Sequence, residues 1–202
     1  MPYIVLLLPF TLLLASCAST SVSTTQLEET PGELPSVSQV TESDVMYQVL
    51  LGELAGKTGD LQTATRAYVD VARMSADPAV AERATRIALF GRDYPRALEA
   101  AQYWEALDPQ SLDARQIIAV LYARFGEIDL AVQYFETIIM ATQGAHNGGY
   151  GLAATLLSQD VPKNNALEVM GRLTSRATDD FRAKYAYASL ANTFAAYGDA
   201  LN

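Results

Sequence analysis

One short pattern returns along the middle of the chain at an almost constant spacing. Each copy is a turn followed by the start of a helix and then a small residue, and the small residues are Ala64, Ala97 and Ala131. The three alanines are separated by 33 and 34 residues. A fixed period of this size is produced by a helix–turn–helix unit that stacks on copies of itself. Because one short helix cannot bury its apolar stripe alone, the spacing predicts an all-α fold with a continuous core.

The third copy shows the pattern most fully. Ile118 and Ala119 form a large–small pair in its first helix, Gly126 is placed at the turn, and Ala131 and Phe135 follow in its second helix. This arrangement resembles the tetratricopeptide (TPR) repeat, which implies a right-handed α-solenoid of antiparallel helix pairs. Within a domain spanning 42–202 we expect helix pairs at 43–57/60–75, 77–91/93–107, 111–125/127–141 and 147–159/162–175. A last helix is expected at 179–197, with Gly198-Asp199 as the next turn. The last repeat is therefore predicted to be truncated, and the chain to be an N-terminal fragment of a longer solenoid or a truncated gene product.

The first part of the chain differs from the repeats. Residues 1–15 form an apolar run of about 15 residues, too short for a membrane span, which needs ~20 residues. Leu14, Ala15 and Ser16 precede Cys17, the only cysteine, and this order resembles a bacterial lipobox. The resemblance implies a signal peptide over 1–16 and covalent lipid such as palmitate on Cys17. The alternative is a generic secretory signal. Residues 17–41, rich in Ser, Thr and Glu, are expected to form a flexible linker.

Charge and composition exclude several classes of function. The net charge is −9, which disfavours a nucleic-acid-binding protein. With one Cys and one His, an intramolecular disulfide framework and a Cys- or His-rich metal site are not expected. His146 is predicted to be an exposed loop residue, and Trp104 is predicted to be a core residue. Because no catalytic set or phosphate-binding loop is present, we expect no enzyme activity, no metal and no cofactor beyond the lipid on Cys17.

A surface remains as the candidate functional site. In TPR stacks the inner wall comes mainly from the first helix of each pair. By repeat position, the candidate protein-binding wall consists of Glu53, Lys57, Glu82, Arg86, Phe90, Gln116, Val120 and Arg124. Within this wall Arg86 and Arg124 are expected to be exposed donors to a partner, so that their truncation leaves stability nearly unchanged.

The segment Asp77–Tyr94, DPAVAERATRIALFGRDY, resembles a particular group of proteins. These are long TPR lipoproteins of gammaproteobacterial outer membranes, similar to the adaptor of a periplasmic carboxyl-terminal processing protease. The resemblance covers roughly 43–140 and the lipobox. It implies a lipid-anchored scaffold on the periplasmic face of the outer membrane that holds the protease and presents its substrates. An assembly lipoprotein, either a type IV pilus pilotin or an outer-membrane protein assembly component, is the alternative.

Overall fold

The computed structural model describes residues 41–142, 144 and 148–200, with side chains up to residue 195. These residues contain helices and turns and no strand. The helices are α1 (Glu42–Thr58), α2 (Leu61–Met74), α3 (Pro78–Phe90), α4 (Tyr94–Leu107), α5 (Leu112–Phe125), α6 (Ile128–Ala141), α7 (Gly148–Asp160), α8 (Lys163–Arg176) and α9 (Phe181–Ala200). The predicted TPR-type α-solenoid is confirmed, and the ends of the eight paired helices agree with the predicted ends within one residue.

The prediction of a turn after the last helix is wrong. Gly198 and Asp199 do not form a turn, because α9 continues through them to Ala200. A glycine inside a helix costs only ~1 kcal/mol relative to alanine. The neighbouring alanines at 195, 196 and 200 have the highest helix propensity, so this local signal for a turn is weaker than at the earlier glycines.

Helix boundaries follow from capping residues. Asp60, Asp93 and Ser111 each accept a hydrogen bond from the backbone N–H three residues later, which satisfies a free donor at the start of α2, α4 and α5. Gly59 and Gly126 end α1 and α5 with φ of 81°. Only glycine adopts that conformation without strain. In the α3–α4 turn, Arg92 takes the left-handed conformation with φ of 56° in place of a glycine.

The core is built from small residues between the helices and bulky residues that fill the remaining gaps. The three repeat alanines at 64, 97 and 131 are buried, as are Ile118 and Phe135. Trp104 is also buried, as predicted. The small residues allow close approach of the helices, and this close packing sets the register of each pair.

The first helices of successive pairs, α1, α3, α5 and α7, are called the A helices. α5 packs directly on α7, and α7 packs on α9. By contrast, α1 and α3 contact each other mainly through α2, and α3 reaches α5 mainly through α4. The early A helices therefore leave open spaces on their shared side.

Candidate protein-binding surface

An open space lies between α1 and α3. This front groove has a volume of about 860 Å³; Tyr68 forms its floor, and Glu53, Lys57, Glu82, Arg86 and Phe90 line its sides. All five of these side residues were predicted as wall residues. Because they come from helices that are not adjacent in sequence, the repeat geometry alone brings them together.

A hydrogen-bonded cluster joins the floor of the front groove to both A helices. The Tyr68 hydroxyl donates to the Glu53 carboxylate, and Arg83 Nε donates to the Tyr68 hydroxyl oxygen at 2.9 Å. Arg83 also forms an ion pair with Glu53, and its guanidinium lies 5.1 Å from the centroid of the Tyr68 ring. The cluster ties α1, α2 and α3 to one another at the point where the groove begins.

The cluster changes the acidity of its members. The hydrogen bond from Tyr68 and the positive charge of Arg83 lower the pKa of Glu53. Burial raises the pKa of Tyr68, and the hydrogen bond to Glu53 raises it further. Both groups are therefore held in their neutral-pH states, with Glu53 ionised and Tyr68 protonated.

Gly52 makes this cluster possible. A Cβ atom at position 52 would lie 2.7 Å from Cε2 of the Tyr68 ring. Without a side chain on Gly52, the ring can lie against the backbone of α1 and place its hydroxyl at Glu53.

A second space, the middle groove, follows between α3 and α5. It has a volume of about 240 Å³ and is lined by Arg86, Tyr94, Gln116, Val120, Arg124 and Asp160, among others. The remaining three predicted wall residues, Gln116, Val120 and Arg124, all lie here. Arg86 lines both grooves, and its Nε is 2.8 Å from Glu82 Oε1. The eight predicted wall residues therefore line two neighbouring grooves; that these residues bind a partner stays a prediction.

Arg124 differs from the expectation of an exposed, uncommitted donor. Its guanidinium carbon lies 3.8 Å from the centroid of the Tyr94 ring, and its Nη1 donates to the backbone carbonyl of Asp160 at the end of α7. A cation that bonds a carbonyl at a helix C-terminus stabilises that end of the helix. Arg124 thus joins α4, α5 and α7, and its truncation is expected to reduce stability.

Sequence reasoning missed Arg83, Tyr94 and Asp160 as groove residues. Arg83 is next to the predicted Glu82, but its pairing with Glu53 spans 30 residues and depends on how α3 is placed against α1. Tyr94 and Asp160 lie at helix ends, outside the A-helix positions from which the wall was predicted. For Tyr94, the sequence signal was its aromatic side chain at the start of α4.

Several predicted features lie outside the described residues. These are His146 and the segment that contains Leu14, Ala15, Ser16 and Cys17. Among the described helices, none combines the length and apolarity of a membrane span. The described ranges also hold no group of three or more metal-ligating side chains.

The chain is similar to a TPR repeat-containing protein of Pseudomonas aeruginosa. The two sequences are 32% identical over 161 residues, which cover 76% of this chain and 27% of the relative. The chain thus spans about a quarter of the length of this curated relative. No protein-family model matches the chain.

Three solved structures align with the chain at 16% identity each. A MamA protein covers 80% of this chain and 88% of its own length, with a TM-score of 0.48. A tetratricopeptide repeat protein from Parabacteroides merdae covers 77% and 62%, with a TM-score of 0.46. A MamA fragment from Desulfovibrio magneticus covers 79% and 96%, with a TM-score of 0.44. The helix-pair architecture and the similarity to the Pseudomonas protein together support the conclusion that this chain is a TPR-type repeat protein.

Proposed function

We propose that the chain is a non-catalytic scaffold whose front and middle grooves bind an extended segment of a partner protein. The observation that carries this proposal is the position of the predicted wall residues. Eight side chains chosen only by repeat position line two neighbouring grooves, with Arg86 between them.

The chemistry of the grooves suits a peptide segment. The front groove offers the apolar side chains of Ile87 and Phe90, and Phe90 is 76% exposed. Lys57, Arg83 and Arg86 add donors beside these apolar surfaces. An extended segment presents apolar side chains together with backbone carbonyls, and aromatic and Arg side chains are the residues that dominate protein interfaces.

The finer proposal concerns the location and the partner. The lipobox resemblance supports a lipid anchor on Cys17, and the Asp77–Tyr94 resemblance supports a place on the periplasmic face of the outer membrane. The same resemblance favours a carboxyl-terminal processing protease and its substrates as partners. The similarity to a much longer TPR protein supports the scaffold role.

A binding measurement tests the groove. The variant carries Arg86→Ala and Phe90→Ala, which remove an exposed donor and the exposed aromatic surface of the front groove. Both side chains are exposed, and the Arg86–Glu82 pair is a surface i,i+4 pair worth ~0.5 kcal/mol, so the fold is expected to persist. We expect affinity for the purified protease to fall at least tenfold, while circular dichroism and the melting temperature change little.

The control is Arg66→Ala, an exposed arginine on α2 that lines neither groove. It should bind like the parent chain. Unchanged affinity of the double variant would remove the groove from the proposal. Capture of a secretin or an outer-membrane barrel protein, with no protease retained, would favour the assembly-lipoprotein alternative. Substrate hydrolysis by the purified chain alone, lost on mutation of one of its residues, would contradict the non-catalytic role.

A further inference from the structure

Helix α1 is apolar on two opposite sides. Its inner side packs Gly52 and Ala55 into the first pair. Its outer side carries Met46, Tyr47, Leu50 and Leu54, which are between 60% and 64% exposed and are called the outer stripe. A helix with apolar residues on both sides is usually covered on both sides.

This exposure is unusual for α1, the first of the described helices. Terminal repeats of solenoids normally have a polar outer face, because no further repeat covers them. Among the described helices, α1 packs mainly on α2, and none lies over the outer stripe. None of the four stripe residues lines the front groove, so a ligand bound there leaves the stripe uncovered.

The spacing of the stripe fits a helix partner. Tyr47, Leu50 and Leu54 follow one another at intervals of three and four, Met46 lies beside Tyr47, and Ser43 and Lys57 continue the same line at its two ends. This is the spacing of a seam between two packed helices. If an identical helix runs antiparallel with Leu50 opposite Leu50, then Met46 lies opposite Leu54 of the other copy.

Charge selects the antiparallel arrangement. The first turn of α1 holds Glu42 and Asp44, and its last turn holds Lys57. In the antiparallel pair, Lys57 of each copy lies opposite Ser43 of the other copy, beside those two acids. A parallel pair would instead bring like charges and like ends of the helix dipoles together.

The chain's own N-terminal segment is a poorer match for the stripe. Residues 18–40 are rich in Ser, Thr and Glu and lack an apolar pattern at helical spacing. Residues 1–56 contain no Lys or Arg. The segment before α1 therefore offers no basic side chain to pair with Glu42 and Asp44. A second copy of α1 supplies both the apolar side chains and Lys57.

We infer that two copies of this chain associate through an antiparallel pair of α1 helices with Leu50 on the twofold axis. Four half-exposed large side chains bury on the order of 100 Å² each, which gives roughly 800 Å² for the pair, below the usual size of a stable interface. The dimer is therefore weak and depends on concentration. Anchoring of both copies to one membrane would raise their effective concentration.

Disulfide trapping tests the register. The experiment uses the full chain with Cys17→Ser, which removes the only native cysteine. Under mild oxidation, Leu50→Cys should form a covalent dimer. Met46→Cys and Leu54→Cys should each react slowly alone and rapidly when mixed, because these positions face each other across the pair. Rapid dimer formation by Met46→Cys alone would mean a parallel or non-specific contact and would overturn the inference.

Sedimentation equilibrium tests the association without cysteines. Leu50→Glu should raise the dimer dissociation constant at least tenfold, since it places two carboxylates on the axis. Tyr185→Glu is the control, because it puts the same charge on an exposed large side chain of α9, away from the outer stripe, and should leave the constant unchanged.

Three results would overturn the inference. The first is a chain that stays monomeric at all concentrations. The second is slow alkylation of the introduced thiol in a monomeric Leu50→Cys variant, which would show that another part of the chain covers the stripe. The third is binding of a monomeric chain to phosphatidylcholine vesicles that is lost in Leu50→Glu, which would show that lipid covers it.

Discussion

At position 52, the absence of a side chain determines how the first helix pair packs. The Tyr68 ring occupies the space where a Cβ would be, and hydrogen bonds with Glu53 and Arg83 hold its hydroxyl. The ring therefore cannot move away without loss of those bonds. Glycine elsewhere in the same helix has no such role, because a Cβ at Gly56 would meet nothing within 4 Å.

The two glycines give a matched pair of substitutions. Gly52→Ala gains up to ~1 kcal/mol of helix propensity but overpacks the Tyr68 contact, which typically costs about 1–3 kcal/mol. We expect a net loss of stability, measured as a lower melting temperature. Gly56→Ala makes the same chemical change without the contact and should raise the melting temperature. Equal gains from both variants would contradict the assigned contact.

The lowered pKa of Glu53 makes the first repeat sensitive to acid. A carboxyl group whose folded pKa lies below its unfolded value of 4.5 stabilises the fold above that value. The contribution is lost as the pH falls through the folded pKa, when Glu53 takes up a proton. In Glu53→Gln, thermal melts between pH 3 and pH 7 should depend less on pH than those of the parent chain. Parallel pH curves for the two proteins would show that Glu53 is not held by Tyr68 and Arg83.

Repeat position predicted which residues are close to one another better than it predicted their bonds. It assigned Ala64 to the first pair and Ala131 and Phe135 to the third, and all three are buried there. It could not show that Arg124 bonds the Asp160 carbonyl, because that contact spans 36 residues and depends on the angle between successive repeats. Bonds between repeats require the three-dimensional stacking, which the residue spacing alone does not contain.

At the scale of the helices, boundaries were predictable because turn and cap residues are local signals. The predicted helix at 147–159 includes Gly148 and Gly149, but its bounds do not show what these glycines do. Both are buried in α7. A Cβ at Gly149 would lie 2.8 Å from the carbonyl oxygen of Ile139 in α6. Gly149 therefore acts as a packing residue between two repeats.

This contact predicts an effect between helices. Gly149→Ala would push α6 and α7 apart, because the obstructing atoms belong to the backbone of α6 and cannot rotate away. We expect a loss of about 2 kcal/mol or more and a melting temperature lower by several degrees.

Gly171→Ala in α8 is the control for Gly149→Ala. Its Cβ would meet only the Tyr187 ring at an ordinary 3.6 Å, so the variant should be neutral or stabilised. A destabilised Gly171→Ala variant together with an unaffected Gly149→Ala variant would contradict the packing described for α6 and α7.

At the scale of the whole molecule, three predictions concern the N-terminal region, which lies outside the described residues. The signal peptide at 1–16, the lipid on Cys17 and the linker to residue 41 rest on sequence alone. If Cys17 is the acylated first residue of the mature protein, Cys17→Ala should leave the outer-membrane fraction and lose the mass of the acyl chains. Fractionation and mass spectrometry of intact protein measure both. An unchanged location and mass would exclude the lipid anchor.

Arg86 has a further consequence for the molecule as a whole. Its single guanidinium borders both grooves, and an occupant that draws it toward the front groove withdraws it from the middle groove. Two short ligands, one in each groove, therefore compete for the same donor, and thermodynamic linkage makes each weaken the other by the same factor. One continuous segment that crosses both grooves shares the donor and avoids this antagonism, so the surface distinguishes ligands by length as well as by sequence.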